Sequence, residues 1–237
     1  MSNSFFKFKR FTVYHDRCAM KVGTDGVLLG AWADVAGVRS VLDVGTGTGL
    51  IALMLSQRCD AEIQAIDIDE DAVIQACENV RNSPWPEQIA VQQGDVRKFA
   101  EECGRRFDLI VSNPPYFTEK VMCPEQRRNA ARHTEGLAFS ELIAAVSVLL
   151  AGQGRFSVIL PSAAAPDFIA EATRQGLYLH CQVWVHTKPG AEPKRVLMTF
   201  KKEGIASAEV GHLTIELERH VYAPEFLALV KDYYLYL

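Results

Sequence analysis

From residue 40 onward the chain repeats one unit: an apolar run of strand length, a short turn, and a stretch of helix length. The pattern predicts strand 40–44 with helix 49–58, strand 62–67 with helix 70–81, and strand 88–93 with a short helix near 96–103. Strand 107–112 then runs into a long loop, followed by helix 137–150, strand 154–160, helix 165–175 and strand 177–186. A strand at 194–201, another at 212–217 and a helix at 224–232 close the chain. Strands separated by helices pair in parallel, and crossover helices cover both faces of the resulting sheet, so the fold class is α/β. The residues before 38 follow another pattern. Residues 5–14 alternate loosely and predict a short hairpin or edge strand, and Met20 to Trp32 predicts a turn feeding a helix N-capped by Thr24 or Asp25.

Parallel sheets bind ligands beyond the carboxyl ends of their strands, so the residues there matter most. After the first core strand comes Asp43-Val44-Gly45-Thr46-Gly47-Thr48-Gly49. The third glycine arrives one residue too early for a dinucleotide fingerprint. Asp43 is expected to point a carboxylate into the crevice, where it would repel a pyrophosphate and attract a ligand carrying an ammonium or a sulfonium. That ligand's own carboxylate is expected to use backbone N–H groups of the turn. Asp67 ends the second strand about twenty residues on, a position suited to ribose hydroxyls. Asp95 ends the third and is placed to accept from an adenine amino group. Their neighbours Ile68 and Val96 belong to the same candidate site. Each acid alone is commonly a helix cap; three at successive strand ends point to one ligand.

The fourth strand ends in Asn113-Pro114-Pro115-Tyr116. Prolines cannot continue a sheet ladder and hold the backbone rigid, Asn113 offers a carbonyl oxygen and Tyr116 a flat face. That set suits a planar group bearing an NH2. An adenine N6 lone pair is delocalised and a poor nucleophile. Acceptance of both its hydrogens by the Asn113 side chain and the Pro114 backbone, each about 3 Å away, would free it for methyl transfer. Tyr116 would stack on the base.

These motifs resemble the class I S-adenosylmethionine-dependent methyltransferases over about residues 38–200. The resemblance implies a Rossmann-like, mostly parallel seven-stranded sheet whose last strand is antiparallel, with S-adenosyl-L-methionine as cofactor. A closer similarity spans nearly the whole chain. The stretch from Cys18 to Trp32, Arg127-Arg128-Asn129-Ala130-Ala131-Arg132-His133, and Lys231-Asp232-Tyr233-Tyr234-Leu235 resemble the bacterial valine-tRNA N6-adenine methyltransferases. It implies methylation of an adenine beside the anticodon, with Asn113, Pro114, Pro115 and Tyr116 catalytic. The cofactor set is then Asp43, Gly45, Thr46, Gly47, Gly49, Asp67, Ile68, Asp95, Val96 and Asn113. Lys21, Thr24 and Asp25 either join it or belong to a lid packed over the sheet. The expected organisation is one methyltransferase domain over 1–237: hairpin and lid to 37, Rossmann-like core 38–201, extension 202–237.

Composition narrows the partners. Among 237 residues 49% are apolar, ample for a continuous core. No apolar run approaches the roughly 20 residues that span a bilayer. The six cysteines are scattered without Cys-x-x-Cys spacing, which favours a reduced, cytoplasmic setting and no metal site. Against a net charge of −4 stand three basic clusters: Lys7-Phe8-Lys9-Arg10, residues 127–133, and Lys188 with Lys194 and Arg195. Taken singly, each is equally a solvated surface; together they suit a confined anionic substrate, with Lys7, Lys9, Arg127, Arg128 and Arg132 as the RNA candidates. Oligomeric state is not legible, and a monomer is the default.

Four other functions share parts of this pattern. A protein-glutamine N5-methyltransferase presents the same amide NH2, but by family resemblance carries a helical N-terminal domain, whereas residues before 40 read as strand and turn. A guanine-N2 methyltransferase more often ends the motif in Phe. A non-catalytic cofactor-binding module would not need Asn113 and Tyr116. An NAD oxidoreductase conflicts with the glycine spacing and Asp43.

Overall fold

The computed structural model describes residues 3–18, 20–115 and 137–236. Strands β1 (Phe5–Lys7) and β2 (Thr12–Tyr14) form the expected hairpin, and α1 spans Thr24–Trp32. The core follows: β3 (Ser40–Val44), α2 (Leu50–Ser56), β4 (Glu62–Asp67), α3 (Glu70–Arg81), β5 (Ile89–Gln93), α4 (Val96–Glu102) and β6 (Phe107–Ser112). Then come α5 (Phe139–Leu149), β7 (Leu150–Pro161), α6 (Ala165–Arg174), β8 (Tyr178–His186) and β9 (Arg195–Lys201). The chain continues through β10 (Glu209–Thr214), β11 (Glu216–Glu218), β12 (Val221–Tyr222) and α7 (Pro224–Val230).

Among the described residues the main sheet has eight strands in the order β10-β8-β9-β7-β6-β3-β4-β5. β9 is antiparallel to both β7 and β8, as expected for the seventh strand. The eighth, β10, pairs in parallel with β8 at the edge. The segment predicted as strand 212–217 divides into β10 and β11. An edge strand exposes one face and one ladder, so Val210 is 57% exposed and the alternation is faint. β7 starts four residues before its expected position because Gly152 and Gly154 read as turn. Gly154 instead lies at a β6–β7 bulge, where a Cβ would sit 2.9 Å from the Phe107 carbonyl oxygen. The N-cap of α1 is Gly23 in extended conformation, not Thr24 or Asp25.

Side chains alternate across the sheet and build a core on each face. Val41 of β3 with Leu109 and Val111 of β6 packs under α1, α2 and α7. Leu42 with Ile110, Phe156, Val158 and Leu160 packs under α5 and α6. All seven residues of α2 are buried, so it is a core helix held between the sheet and α1. The N-terminal hairpin joins the first core through Phe8, Phe11 and Val13, all nearly inaccessible.

Candidate active site

Register gathers the site. Val44 pairs with Ile66 on one side and Ser112 on the other, and Asp67 pairs with Gln93. The residues just past these strand ends therefore meet on one edge: Gly45, Ile68, Gly94 with Asp95, and Asn113. A cavity of about 310 Å³ opens there. Gly45, Gly47, Asp67, Ile68, Asp95, Val96, Asn113, Pro114 and Pro115 line it, as the sequence pattern predicts. Tyr116, Arg127, Arg128 and Arg132 lie outside the described residues.

The glycine turn is backbone chemistry. Gly45, Gly47 and Gly49 have φ of 71°, 55° and 79°, in the left-handed region that L side chains avoid. Its amides are already engaged. Gly45 and Thr46 donate to the Ile66 carbonyl, Gly49 donates to the Thr46 carbonyl, and Gly47 donates to Asp67 Oδ2 at 2.8 Å. These four N–H groups are engaged within the protein, so a ligand carboxylate could use them only by sharing. Asp67 also accepts from Asp69 N at 3.0 Å, and burial holds its pKa above the ordinary carboxylate value.

Asp43 does not point into the crevice. It shares a sheet face with Val41, and its Oδ2 accepts from Thr46 Oγ1 at 2.6 Å and from Ala52 N at 3.2 Å. It thereby holds the turn to the first turn of α2, where a negative charge is favourable. Fully buried, it has its pKa pushed up to about 7, chiefly by desolvation, with the Thr46 hydroxyl opposing. Its Oδ1 has no hydrogen-bond partner among the described residues. The Thr46 side chain is committed beneath the turn in the same way, and Gly49 starts α2; neither lines the cavity.

Asp95 caps α4 by accepting from Arg97 N and grips the Arg97 guanidinium through both oxygens, at 2.6–3.0 Å. That hydrogen bonding holds Asp95 below the usual carboxylate range. Arg97 also reaches Glu141 at 2.8 Å, and Glu141 accepts from Ala138 N, which ties the cavity wall to the start of α5. With both oxygens occupied, Asp95 can serve an adenine amino group only by sharing acceptors with Arg97.

The N-terminal segment enters the site through other residues than expected. Lys21, Thr24 and Asp25 do not line the cavity; Cys18 and Met20 do. Asp25 instead pairs with Arg195 at 2.8 Å. The segment is clipped on by two fully buried amides of α3. Asn79 accepts from Tyr14 N and donates to the Tyr14 and Thr48 carbonyls, and Gln75 accepts from Arg17 N at 3.1 Å. Nothing in the sequence flags Asn79 or Gln75, since an amide in a helix reads as surface. Cys18, between burial and the nearby Asp67, has its thiol pushed up to about 12. Asp69, Ala72, Arg97 and Leu137 are further lining residues that sequence reasoning missed.

Lys7 and Lys9 are elsewhere. Lys9 Nζ donates to the Lys231 carbonyl at 2.6 Å, beside a second cavity of about 580 Å³ where the C-terminal ends of α1, α2 and α7 converge. Arg58 caps α1 there through the Gly30 and Ala33 carbonyls. These cations neutralise helix C-termini. α2 runs from the glycine turn toward that cavity, so the two sites sit at opposite ends of it. Among the described residues no group of three or more His, Cys, Asp or Glu could hold a metal ion, and no helix is long and apolar enough to cross a membrane.

The walls of the first cavity combine apolar faces with acids. Ile68, 63% exposed, and Val44, Ile66 and Val96 offer surfaces for a flat ring, while Asp67 and Asp69 favour hydroxyls and cationic groups over phosphates, the Asp95 charge being matched by Arg97. A ligand with an aromatic base, a ribose and a cationic end fits this donor set, and a pyrophosphate does not.

Comparison with known proteins agrees. The family model described as Methyltransferase small domain matches residues 23–161. A Phocaeicola vulgatus protein named tRNA1(Val) (adenine(37)-N6)-methyltransferase is 56% identical, with 99% of each chain covered. Proteins of the same name from Bacteroides fragilis and Yersinia pestis are 49% and 43% identical, covering 99% and 97% of this chain and 99% and 93% of their own. Among solved structures, an Agrobacterium tumefaciens protein described as a predicted O-methyltransferase superposes with a TM-score of 0.66 at 21% identity, covering 88% of this chain and 96% of its own. A glycopeptide N-methyltransferase complexed with S-adenosyl-L-methionine gives 0.56 at 15% identity, covering 77% and 100%. At these identities the structural matches speak to fold alone.

Proposed function

Since the chain belongs to the methyltransferase small-domain family and, within it, to the tRNA1(Val) (adenine(37)-N6)-methyltransferases, we infer that it methylates the N6 amino group of adenine 37 in a valine tRNA, using S-adenosyl-L-methionine. The observation that carries the chemistry is Asn113, half-buried on the rim of the acidic, apolar-walled cavity and one strand away from the glycine turn. The full-length relatives favour this reading over glutamine-N5 or guanine-N2 transfer.

When bound, the cofactor supplies a sulfonium-activated methyl group. Asp67 would accept from its ribose hydroxyls, and Ile68 and Val96 would face its adenine. Asp43 clamps the turn from beneath, and Asp95 with Arg97 would border the adenine edge. The Asn113 side-chain carbonyl and the Pro114 carbonyl accept the two N6 hydrogens of the substrate adenine. This draws the nitrogen toward tetrahedral geometry and localises its lone pair. Pro114 and Pro115 stiffen this corner, so little entropy is lost in aligning it. Tyr116, as the family resemblance implies, would stack on the extruded base, whose place in an anticodon loop lowers the cost of extrusion. No general base is required before transfer, because a proton leaves the alkylated nitrogen to water afterward. The unbridged thiols Cys18, Cys59, Cys77, Cys103 and Cys181 accord with a cytoplasmic setting.

The test is Asn113→Ala with labelled cofactor and total tRNA. Transfer to adenine N6 should fall by at least about 100-fold, the scale of removing a positioned polar contact at a reaction centre, while cofactor affinity stays within a few fold. A fully active variant would exclude the mechanism. Label found only in protein glutamine would exclude the substrate.

A further inference from the structure

We propose that the β8–β9 connection, residues 187–194, is a docking shelf for the sugar–phosphate backbone of the RNA whose base enters the cavity, with Lys188 and Lys194 as its phosphate-contacting cations. The proposal rests on tRNA being the substrate.

Sheet topology puts this connection on the edge that bears Asn113. β8 runs parallel to β7, because each is antiparallel to β9, and β7 runs parallel to β6. Register also makes it stand proud. Ser112 pairs with Val158, whereas Pro161, three residues farther along β7, pairs with Arg195, and Arg195 pairs with Val185. At about 3.3 Å per residue the β7–β9–β8 corner rises about 10 Å past the end of β6, and three strand spacings set it about 14 Å to the side. Both distances are short on the scale of an anticodon arm.

The shelf is built rigidly. Lys188-Pro189-Gly190-Ala191 forms a turn with Ala191 N donating to the Lys188 carbonyl at 3.2 Å and Gly190 at φ 73°, as in a type II turn with proline second and glycine third. Lys194 N donates to the Val185 carbonyl, and Ser162 donates to the Pro193 carbonyl through Oγ and to the Lys194 carbonyl through N. His186 Nδ1 lies 2.7 Å from the Ala191 carbonyl, which only accepts, so this nitrogen carries the proton. Its Nε2 lies 2.9 Å from His212 Nδ1 on β10, close enough for the two ring nitrogens to share a hydrogen. Arg195 is braced by Asp25 of α1. These contacts leave Lys188 and Lys194 exposed on a preformed backbone, so little ordering is needed on binding. Glu192 lies between them in the chain, also exposed, and opposes an anion. The lysines expected from the sequence, Lys7 and Lys9, belong to the hairpin that meets the chain's last helix, whereas this pair shares an edge with the reaction.

The experiment compares wild type, the Lys188→Ala/Lys194→Ala double variant, the double Lys→Arg variant and Glu192→Gln by tRNA binding from 50 to 200 mM salt. Methyl transfer and cofactor affinity are measured in parallel. Two lost phosphate contacts should weaken tRNA binding about tenfold and reduce the salt slope by about 1.5. KM for tRNA should rise, with kcat and cofactor affinity held within twofold; Lys→Arg should restore binding and Glu192→Gln should tighten it. Unchanged affinity and slope in the alanine variant, beside a wild type that methylates tRNA, overturn the shelf alone. A wild type that neither binds nor methylates tRNA overturns both the shelf and the substrate assignment.

Discussion

Replacing Asp43 by asparagine should change how stability depends on pH, and the size of the change follows from burial. The Asp43 carboxyl is fully inaccessible, with a folded-state pKa of about 7 against an ordinary value of 3.8. A raised pKa means that the folded protein holds this proton more tightly than the unfolded chain. The associated stability is complete below about pH 3.8 and is lost as pH rises through 7. Between pH 5 and pH 8 the loss amounts to about 2.5 kcal/mol, taking 1.36 kcal/mol per pKa unit and the incomplete protonation at each end. An asparagine at this position has no such titration, so the variant isolates the group. Asp95 and Glu141, held below the carboxylate range by Arg97, work in the opposite sense but are common to both proteins and cancel. Urea unfolding of the two proteins at pH 5, 6, 7 and 8 should show wild type losing ground to Asp43→Asn by about 2.5 kcal/mol across the series. Parallel stability curves would refute a buried carboxyl clamping the glycine turn.

Gly47→Ala should cost about 1–2 kcal/mol in unfolding measurements, all of it backbone, since φ is 55° and a Cβ there would meet nothing within 4 Å. Ile68→Ala should leave stability within about 0.5 kcal/mol, because the side chain is 63% exposed; titration calorimetry should show cofactor affinity lowered five- to thirtyfold as the ring loses an apolar face. Asn79→Ala removes three hydrogen bonds made by a fully buried amide and should cost about 3 kcal/mol. In the same variant, hydrogen exchange should quicken at residues 12–18 before it does in the sheet.

The fold is legible in the sequence wherever one period dominates. β3, β4 and β6 fall on the expected residues because short apolar runs between helices admit little choice. Legibility fails where a residue has two structural uses. Gly152 and Gly154 carry turn composition, yet the second fills a bulge in a paired strand, so β7 reads short. The edge strand β10 buries only Leu213 from its exposed outer position, too little alternation to define its limits. Side-chain clips such as Asn79 to Tyr14 join residues 65 apart and leave no local trace.

The site divides along the same line. Positions at strand ends are fixed by counting along β3, β4, β5 and β6, whose carboxyl ends lie side by side, which is why Asp67, Asp95 and Asn113 fall on one edge. Direction is fixed by parity, and for Asp43 parity decides against the crevice. Val41 and Asp43 are two residues apart on β3, so they share a face, and Val41 packs beneath α1 and α2. The acid is therefore bound to meet the start of α2. Asp67 escapes that rule because it is the last residue of β4, where it reaches back to the Gly47 amide. The electrostatic preference for a cationic ligand survives this change, since it rests on Asp67 and Asp69 at the wall, Asp95 being matched by Arg97. What the structure adds is a second role for the turn: amides of Gly45, Thr46 and Gly47 tie it to the end of β4, that of Gly49 closes it on Thr46, and at Gly45 and Gly47 a Cβ would meet only open space.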